Sequence, residues 1–552
     1  MSHLSSRVSL PLFPVLATFL TSLSSIAPGL IAQGPLTPPG APLASMRTLA
    51  EIEPRTRLES LTGDSTALYV INTAGSYYLS AGNVAGVNGK AAIAVNANGV
   101  SIDLNGFSLI GTGGSTRGIE IRGATTNLAI RNGGIRSWGA AGIGLSTANA
   151  PTGVVLENLT IATVGGAGID LTGGNAVTVS RCSITGAVAG ILIGSTSGTV
   201  HACAVSNLAA GGATSYGILA GSVTDCEMNS LTGTGAGDGY GILARTVQGC
   251  SVTGVDSGGN GISVGIQADT VTGCAAVSIG GTGSGVSEGI GANTVSACSV
   301  SSVGGPGSAS VQYGIQSNGT VSACSVINVG NSSSSAFMYG IDAQIVSNCR
   351  VTSISTTSAI VGISAKIITS SAVSNLVHLG GSTGGITGIT GERISDCQVD
   401  VLGANSTAPC IGIFARRAIR GSTASGVGNF GTGGSFGLDL GTGCVAEHCH
   451  VGGSSTIGIR AIANAKVTQC EVSGATIATG IDCQAGGSLV DGNNVFGCTT
   501  GIKAVGATLV TRNHVSNSPT KFSVTAAVQV GPITNAAGVV AGTISPWANF
   551  TD

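Results

Sequence analysis

A Gly-Ile or Gly-Leu pair returns along most of the chain. It stands at Gly118, Gly142, Gly168, Gly190, Gly217, Gly241, Gly265, Gly289, Gly314, Gly340, Gly362, Gly388, Gly412, Gly437, Gly458, Gly480 and Gly501, at intervals of 21 to 27 residues. A second frame, Val-x-x-Cys, falls between these pairs: TVHACAV, SVTDCEM, TVQGCSV, TVTGCAA, TVSACSV twice and IVSNCRV end it on Cys203, Cys226, Cys250, Cys274, Cys298, Cys324 and Cys349. Each repeat therefore holds three short β-rich pieces separated by turn residues, all too short for a helix. One such unit cannot bury its own apolar side chains, but a stack of them can. Stacking sets every strand beside its counterpart ~4.8 Å away and makes long parallel sheets. The expected fold is an all-β parallel solenoid of roughly 18 coils, about 85 Å long at that spacing.

Composition agrees with a single repetitive body. Charged residues make up 8% of the 552 residues, against roughly 25% in ordinary soluble domains. With 91 glycines and 3% aromatics, the surface must consist largely of Ser, Thr, Asn, Gly and backbone. The net charge of -2 comes without any Lys/Arg block, which excludes nucleic acid and anionic membrane as partners. Past the N-terminus no apolar run reaches the ~18 residues of a spanning helix. No transmembrane segment is expected after signal cleavage.

The N-terminus reads as an export signal over residues 1–32, with His3 and Arg7 before the apolar LPLFPVLATFL and cleavage after Ala32. A Pro/Gly-rich linker follows over 33–45 and an N-terminal cap region over 46–90. The solenoid is expected over 91–530 and a C-terminal cap or tail over 531–552. Charges in residues 46–62 suggest a short helix over the first coil, where an open sheet edge would otherwise template aggregation. The expected location is secreted, at the cell surface or in the periplasm.

The Gly-Ile strands and the stretch NGVSIDLNGFSLIG (residues 98–111) resemble the right-handed parallel β-helix repeat proteins of the pectin-lyase-like superfamily. MRTLAEIEPRTRLES, ALYVINTAGSYYLSAGNVAGVNGK and the ending SPWANF resemble exported bacterial β-helix proteins of unassigned activity. The resemblance covers nearly all of the mature chain and is specific for fold, not for function. It implies a right-handed single-stranded β-helix with an N-terminal cap.

In that family the corner after the second strand is often Asn, stacked inward as a hydrogen-bonded column. Here Asn158, Asn493 and Asn513 are assigned to that frame, with Ser371 and Ser422. Cysteine takes it at Cys182, Cys203, Cys226, Cys250, Cys274, Cys298, Cys324, Cys349, Cys397, Cys449 and Cys470. Export favours disulfides, but side chains one coil apart hold their Cβ atoms nearer ~4.8 Å than the ~3.8 Å a disulfide prefers. A metal needs ligands converging on a point, whereas a column presents them along a line. Reduced structural thiols, behaving as small hydrophobes with a weak donor and acceptor, are the expected state. Cys410, Cys444, Cys483 and Cys498 lie off the column. Glu447, His448 and His450 flank Cys449, yet alternation separates the histidines from the thiol. No metal site is expected.

The residue after each Gly-Ile should face outward. That column ends in Asp439, Arg460, Asp482 and Lys503, which alternate in sign. By resemblance, polysaccharide sites of β-helix enzymes lie on this first-strand sheet, so these four are the candidate catalytic residues. Two carboxylates two coils apart would be ~10 Å apart, at the wide end of inverting glycosidase geometry; alternatively Arg460 would serve as a lyase base. Cross-strand ion pairing is the competing and stronger reading. Tyr216, Tyr240, Tyr313 and Tyr339 precede Gly-Ile strands and are binding candidates: outward they would stack on sugar rings, inward they would fill a corner, and their shared parity with the Ile favours inward.

The enzyme signatures are missing: RxPxxR and WxDH of pectate lyases, NTD, GHG and RIK of polygalacturonases, a nucleophile elbow, and HExxH. GTGAGDGYG does not satisfy the calcium repeat, so calcium would enter only by family analogy and no cofactor is expected. The resulting expectation is an exported protein with a surface binding or structural role and a polysaccharide or cell-surface glycan as partner. The alternative is a polysaccharide lyase or glycoside hydrolase acting on the first-strand face, and the residues leave the question of catalysis open.

Overall fold

Three parallel ladders run through the protein. The computed structural model describes residues 54–552 apart from 147–149, 195, 282–284, 306–310, 331–336, 381–383, 454–455, 475 and 536–544. The expected signal and linker lie outside the described residues. In the first sheet one column of paired residues passes from Tyr69 through Ile93, Ile119, Ile143 and Ile169 to Ile481, Ile502 and Phe522. The second sheet stacks Val179, Val200, Val223 and Val247, and the third Ile184, Val205, Met228 and Val252. All pairings are parallel, and the stack makes about 19 turns.

These inward columns are the core: Ile169, Val179, Ile184 and their counterparts are fully buried. The repeated glycine is needed for close approach. A Cβ on Gly314 would lie 2.5 Å from the carbonyl oxygen of Gly340 in the next coil and would also strike Val326. Between the second and third sheets the chain bends through one left-handed residue, with φ near +50° at Arg181, Ala202, Asp225, Ala297, Ala323 and Asn348. The residue after each of these is the column cysteine.

The solenoid starts one coil before the expected residue 91, because Ala67–Ile71 already pairs with Ala91–Val95. At the N-terminal end the described cap is a strand, Thr56–Arg57, and a 3-10 turn, Leu58–Ser60. No α-helix forms among the described residues there, residues 46–53 of the expected helix lying outside them; Leu58 is fully buried. At the other end Asn549–Thr551 returns to pair with the third-sheet strand at His514 and Val515. The tail therefore supplies a last strand.

Candidate functional site

The corner column resolves into one hydrogen-bonding device repeated with three residue types. The backbone N–H of Cys182 donates to Cys203 Sγ at 3.4 Å, Cys203 to Cys226, Cys226 to Cys250, Cys250 to Cys274 and Cys274 to Cys298 in the same way. Each thiol in turn reaches the carbonyl two residues back, as Cys203 does to His201 at 3.3 Å, and some, Cys203 among them, also reach a carbonyl of the previous coil, here Val179 at 3.7 Å. Ser371 and Ser422 accept from the N–H of Cys349 and Cys397 at 3.2 and 3.1 Å. Asn513 accepts from Asn493 at 3.0 Å and donates to Val490 and Thr511. Asn549 continues the column, accepting from Asn513 N at 3.0 Å.

Asn158 does not belong to this column. Register pairs Glu157 with Ser180 and Thr160 with Ser183, which puts Leu159 opposite Cys182. Asn158 is the left-handed residue before it, with φ +53°. All fifteen cysteines are free and buried. Burial pushes the Cys397 thiol up to about 11 and those of Cys410, Cys444 and Cys483 to about 12, so they are inert packing groups. His448 occupies the left-handed corner at φ +54°, and no group of three metal-ligating side chains occurs among the described residues.

The outward column of the first sheet is closed by ion pairs at both ends. At its start Glu120, 9% exposed, accepts from Arg122 Nε at 2.8 Å and pairs with Arg117 at 3.2 Å. Arg122 also donates to Asp64 at 2.7 Å and holds that carboxyl well below its usual range. At its far end Asp439, Arg460, Asp482 and Lys503 pair in adjacent coils as the register requires. Arg460 forks onto Asp439 at 2.8 and 2.5 Å and lies 3.8 Å over the Phe436 ring. Asp439 and Asp482 side chains are only 3% and 5% exposed. With Asp439 engaged by a bidentate arginine and Asp482 beside Lys503 Nζ at 3.7 Å, the four form a partly buried structural chain and not an open catalytic pair.

The middle of this face is different. Tyr216, Tyr240, Val264, Glu288, Tyr313 and Tyr339 form one continuous column across six coils. The expected inward parity fails: Tyr216 and Tyr240 are half-buried while Ile218 and Ile242, two residues on, are fully buried, so alternation breaks at the intervening glycine. The tyrosines are half-buried, and burial, followed by the charge of Asp342, raises the Tyr313 hydroxyl above its usual range. They stack on each other in pairs, with ring centroids 5.5 and 5.2 Å apart. Stacking thus occupies one face of each ring.

Between the two pairs lies a recess of about 260 Å³ lined by Gln267, Asp269, Glu288, Asn293, Gln316 and Asn318. Gly291 opens it: a Cβ there would collide with the Glu288 carboxylate. Glu288 is 8% exposed, and burial pushes its carboxyl up to about 7. Asn293 donates to Asp269 at 3.3 Å. Asp269 also borders a second hollow, of about 470 Å³, with Arg245, Thr246 and Ser222. A polar groove therefore follows the corner between the first and second sheets. Sequence reasoning passed over Glu288, although GVSEGIG is where an acid replaces the Tyr or Val of neighbouring coils.

A family model agrees with the architecture over part of the chain. The family described as right handed beta helix region matches residues 117–244. No curated protein matches the sequence. Among solved structures, a tailspike protein mutant of Escherichia coli bacteriophage HK620 is 12% identical, with 83% of this chain and 72% of that chain covered and a TM-score of 0.16. The A-module of mannuronan C-5 epimerase AlgE6 from Azotobacter vinelandii is 13% identical, covering 83% of this chain and 91% of that one at a TM-score of 0.11.

Proposed function

We propose, from the premise that the chain is a right-handed parallel β-helix, that it is an exported glycan-binding protein whose ligand lies along the first sheet at the Gln267–Glu288–Gln316 recess. One observation carries this reading: on successive coils the recess presents amide and carboxylate side chains between two half-exposed tyrosine pairs. Amides both donate and accept, which suits sugar hydroxyls. Coils repeat every ~4.8 Å, close to the advance of one sugar unit in an extended glycan, so successive units would meet equivalent positions. The export signal read over residues 1–32 would bring the protein to where such polymers occur.

Affinity electrophoresis against a panel of soluble polysaccharides tests the reading. Gln267→Ala and Gln316→Ala should each weaken retardation at least tenfold, while Asp482→Ala should leave it unchanged. Loss of binding in Asp482→Ala alone would move the site to the C-terminal ion-pair chain.

The buried carboxyl of Glu288, held near 7, supports a second reading as a lyase or hydrolase, since a carboxyl poised there can deliver or take a proton at neutral pH. Release of reducing ends or unsaturated products that Glu288→Gln abolishes would establish it. Binding without turnover leaves the first reading in place.

A further inference from the structure

The geometry points to a neutral, hydroxyl-rich polysaccharide as the occupant of the recess, with polyuronates and other polyanions rejected. The inference rests on the glycan-binding reading and narrows its ligand. Two acids, Glu288 and Asp269, belong to the recess wall, and Asp342 continues the outward column beyond Gln316. Asp238 adds negative charge near Tyr240.

Cations are remote or engaged. Between Leu219 and Phe414 the outward column holds no Lys or Arg: it reads Leu219, Leu243, Gln267, Gly291, Gln316, Asp342, Ser364, Thr390 and Phe414. Arg245 lies 3.9 Å from Asp269, which neutralises part of its charge. Lys366 lies at the corner three coils beyond Glu288, ~15 Å along the stack.

A carboxylate on every sugar of a polyuronate would approach Asp269 with like charge, and Glu288 with like charge in the fraction of molecules where it is ionised, while Arg245 beside them is already paired with Asp269. Hydroxyls meet no such penalty, because Gln267, Gln316, Asn293 and Asn318 offer both donors and acceptors. Discrimination here comes from an unfavourable charge placed against the wrong ligand as much as from contacts to the right one.

The test is affinity electrophoresis of the intact protein at neutral pH. One set of gels carries β-glucan, galactomannan, dextran or xylan, and the other alginate or polygalacturonate. At least one neutral polymer should bind tenfold or more tightly than either polyuronate. In the double variant Asp269→Asn/Glu288→Gln that gap should narrow at least threefold. The single variant Asp269→Asn, at an exposed position, should narrow it in part and guards against a folding defect in the double. Equal or tighter wild-type binding of alginate or polygalacturonate overturns the inference and leaves glycan binding standing. A gap unchanged in both variants overturns the role of these two acids. Binding to no polysaccharide in either set overturns the parent reading as well.

Discussion

Cysteine, serine and asparagine interchange in the corner column because one geometric problem has three chemical answers. A backbone N–H at the bend needs an acceptor from the next coil, and a thiol at 3.4 Å, a hydroxyl at 3.1–3.2 Å or an amide oxygen at 3.0 Å provides it. Cys250→Ala should therefore destabilise by about 2 kcal/mol, combining an orphaned Cys226 N–H with a small void. Cys250→Ser should cost about half as much, since Ser371 and Ser422 already serve; denaturant midpoints of the two variants decide it. A thiol reagent should find almost no reactive cysteine in the native protein and fifteen in the denatured protein without added reductant. Near-zero titration after denaturation would mean the column is oxidised. Glu288 adds a pH dependence. Its folded value of about 7 exceeds the 4.5 of an unperturbed carboxyl, so between these limits the folded state holds the extra proton. Stability falls as pH rises from about 4.5 to about 7 and is level above that. Glu288→Gln should flatten this slope and raise stability at pH 8 by up to about 3 kcal/mol, measured by thermal melts across that range.

At the scale of a strand, register and not residue type decides what each charged side chain does. Asp439 and Arg460 could be placed in adjacent coils from spacing alone, and the pairing follows that spacing. Their burial was not legible, because it depends on Phe436 lying beneath the guanidinium and on loops whose conformation the repeat does not specify. Arg460→Ala should cost roughly 3 kcal/mol by leaving the Asp439 carboxylate buried without its partner, with no change in polysaccharide retardation. A variant that lost binding while keeping its melting point would return these residues to the ligand site. The tyrosines teach the converse. Strict alternation assigned them to the interior, but alternation breaks at a glycine whose Cβ would strike the next coil, and Tyr216 and Tyr313 are left half-buried.

For the whole molecule, the open ends matter most. Each internal coil is covered by two neighbours, whereas a terminal coil exposes a parallel edge. At the C-terminal end Asn549–Thr551 joins the third sheet and completes the asparagine run on Asn513. Deleting residues 545–552 should leave Asn513 without its acceptor and expose the last third-sheet strand. Size-exclusion chromatography should then show concentration-dependent aggregation of an otherwise folded chain. A monodisperse truncation with an unchanged melting point would mean that the tail closes nothing.

The periodic glycines and valines were enough to specify stacked parallel coils, their in-register columns and the corner thiols, because repetition leaves one economical way to bury a narrow apolar interior. What sequence alone misjudged were the first coil, the place of Asn158 and the accessible part of the outward face. Those depend on where the stack stops, on which residue takes the left-handed bend, and on what surrounds each acid: Arg460 of the next coil, packed on Phe436, covers Asp439, whereas Gly291, three residues along the same strand, leaves a recess beside Glu288. Neighbours across coils lie 21 to 27 residues away, and only the folded stack brings them together.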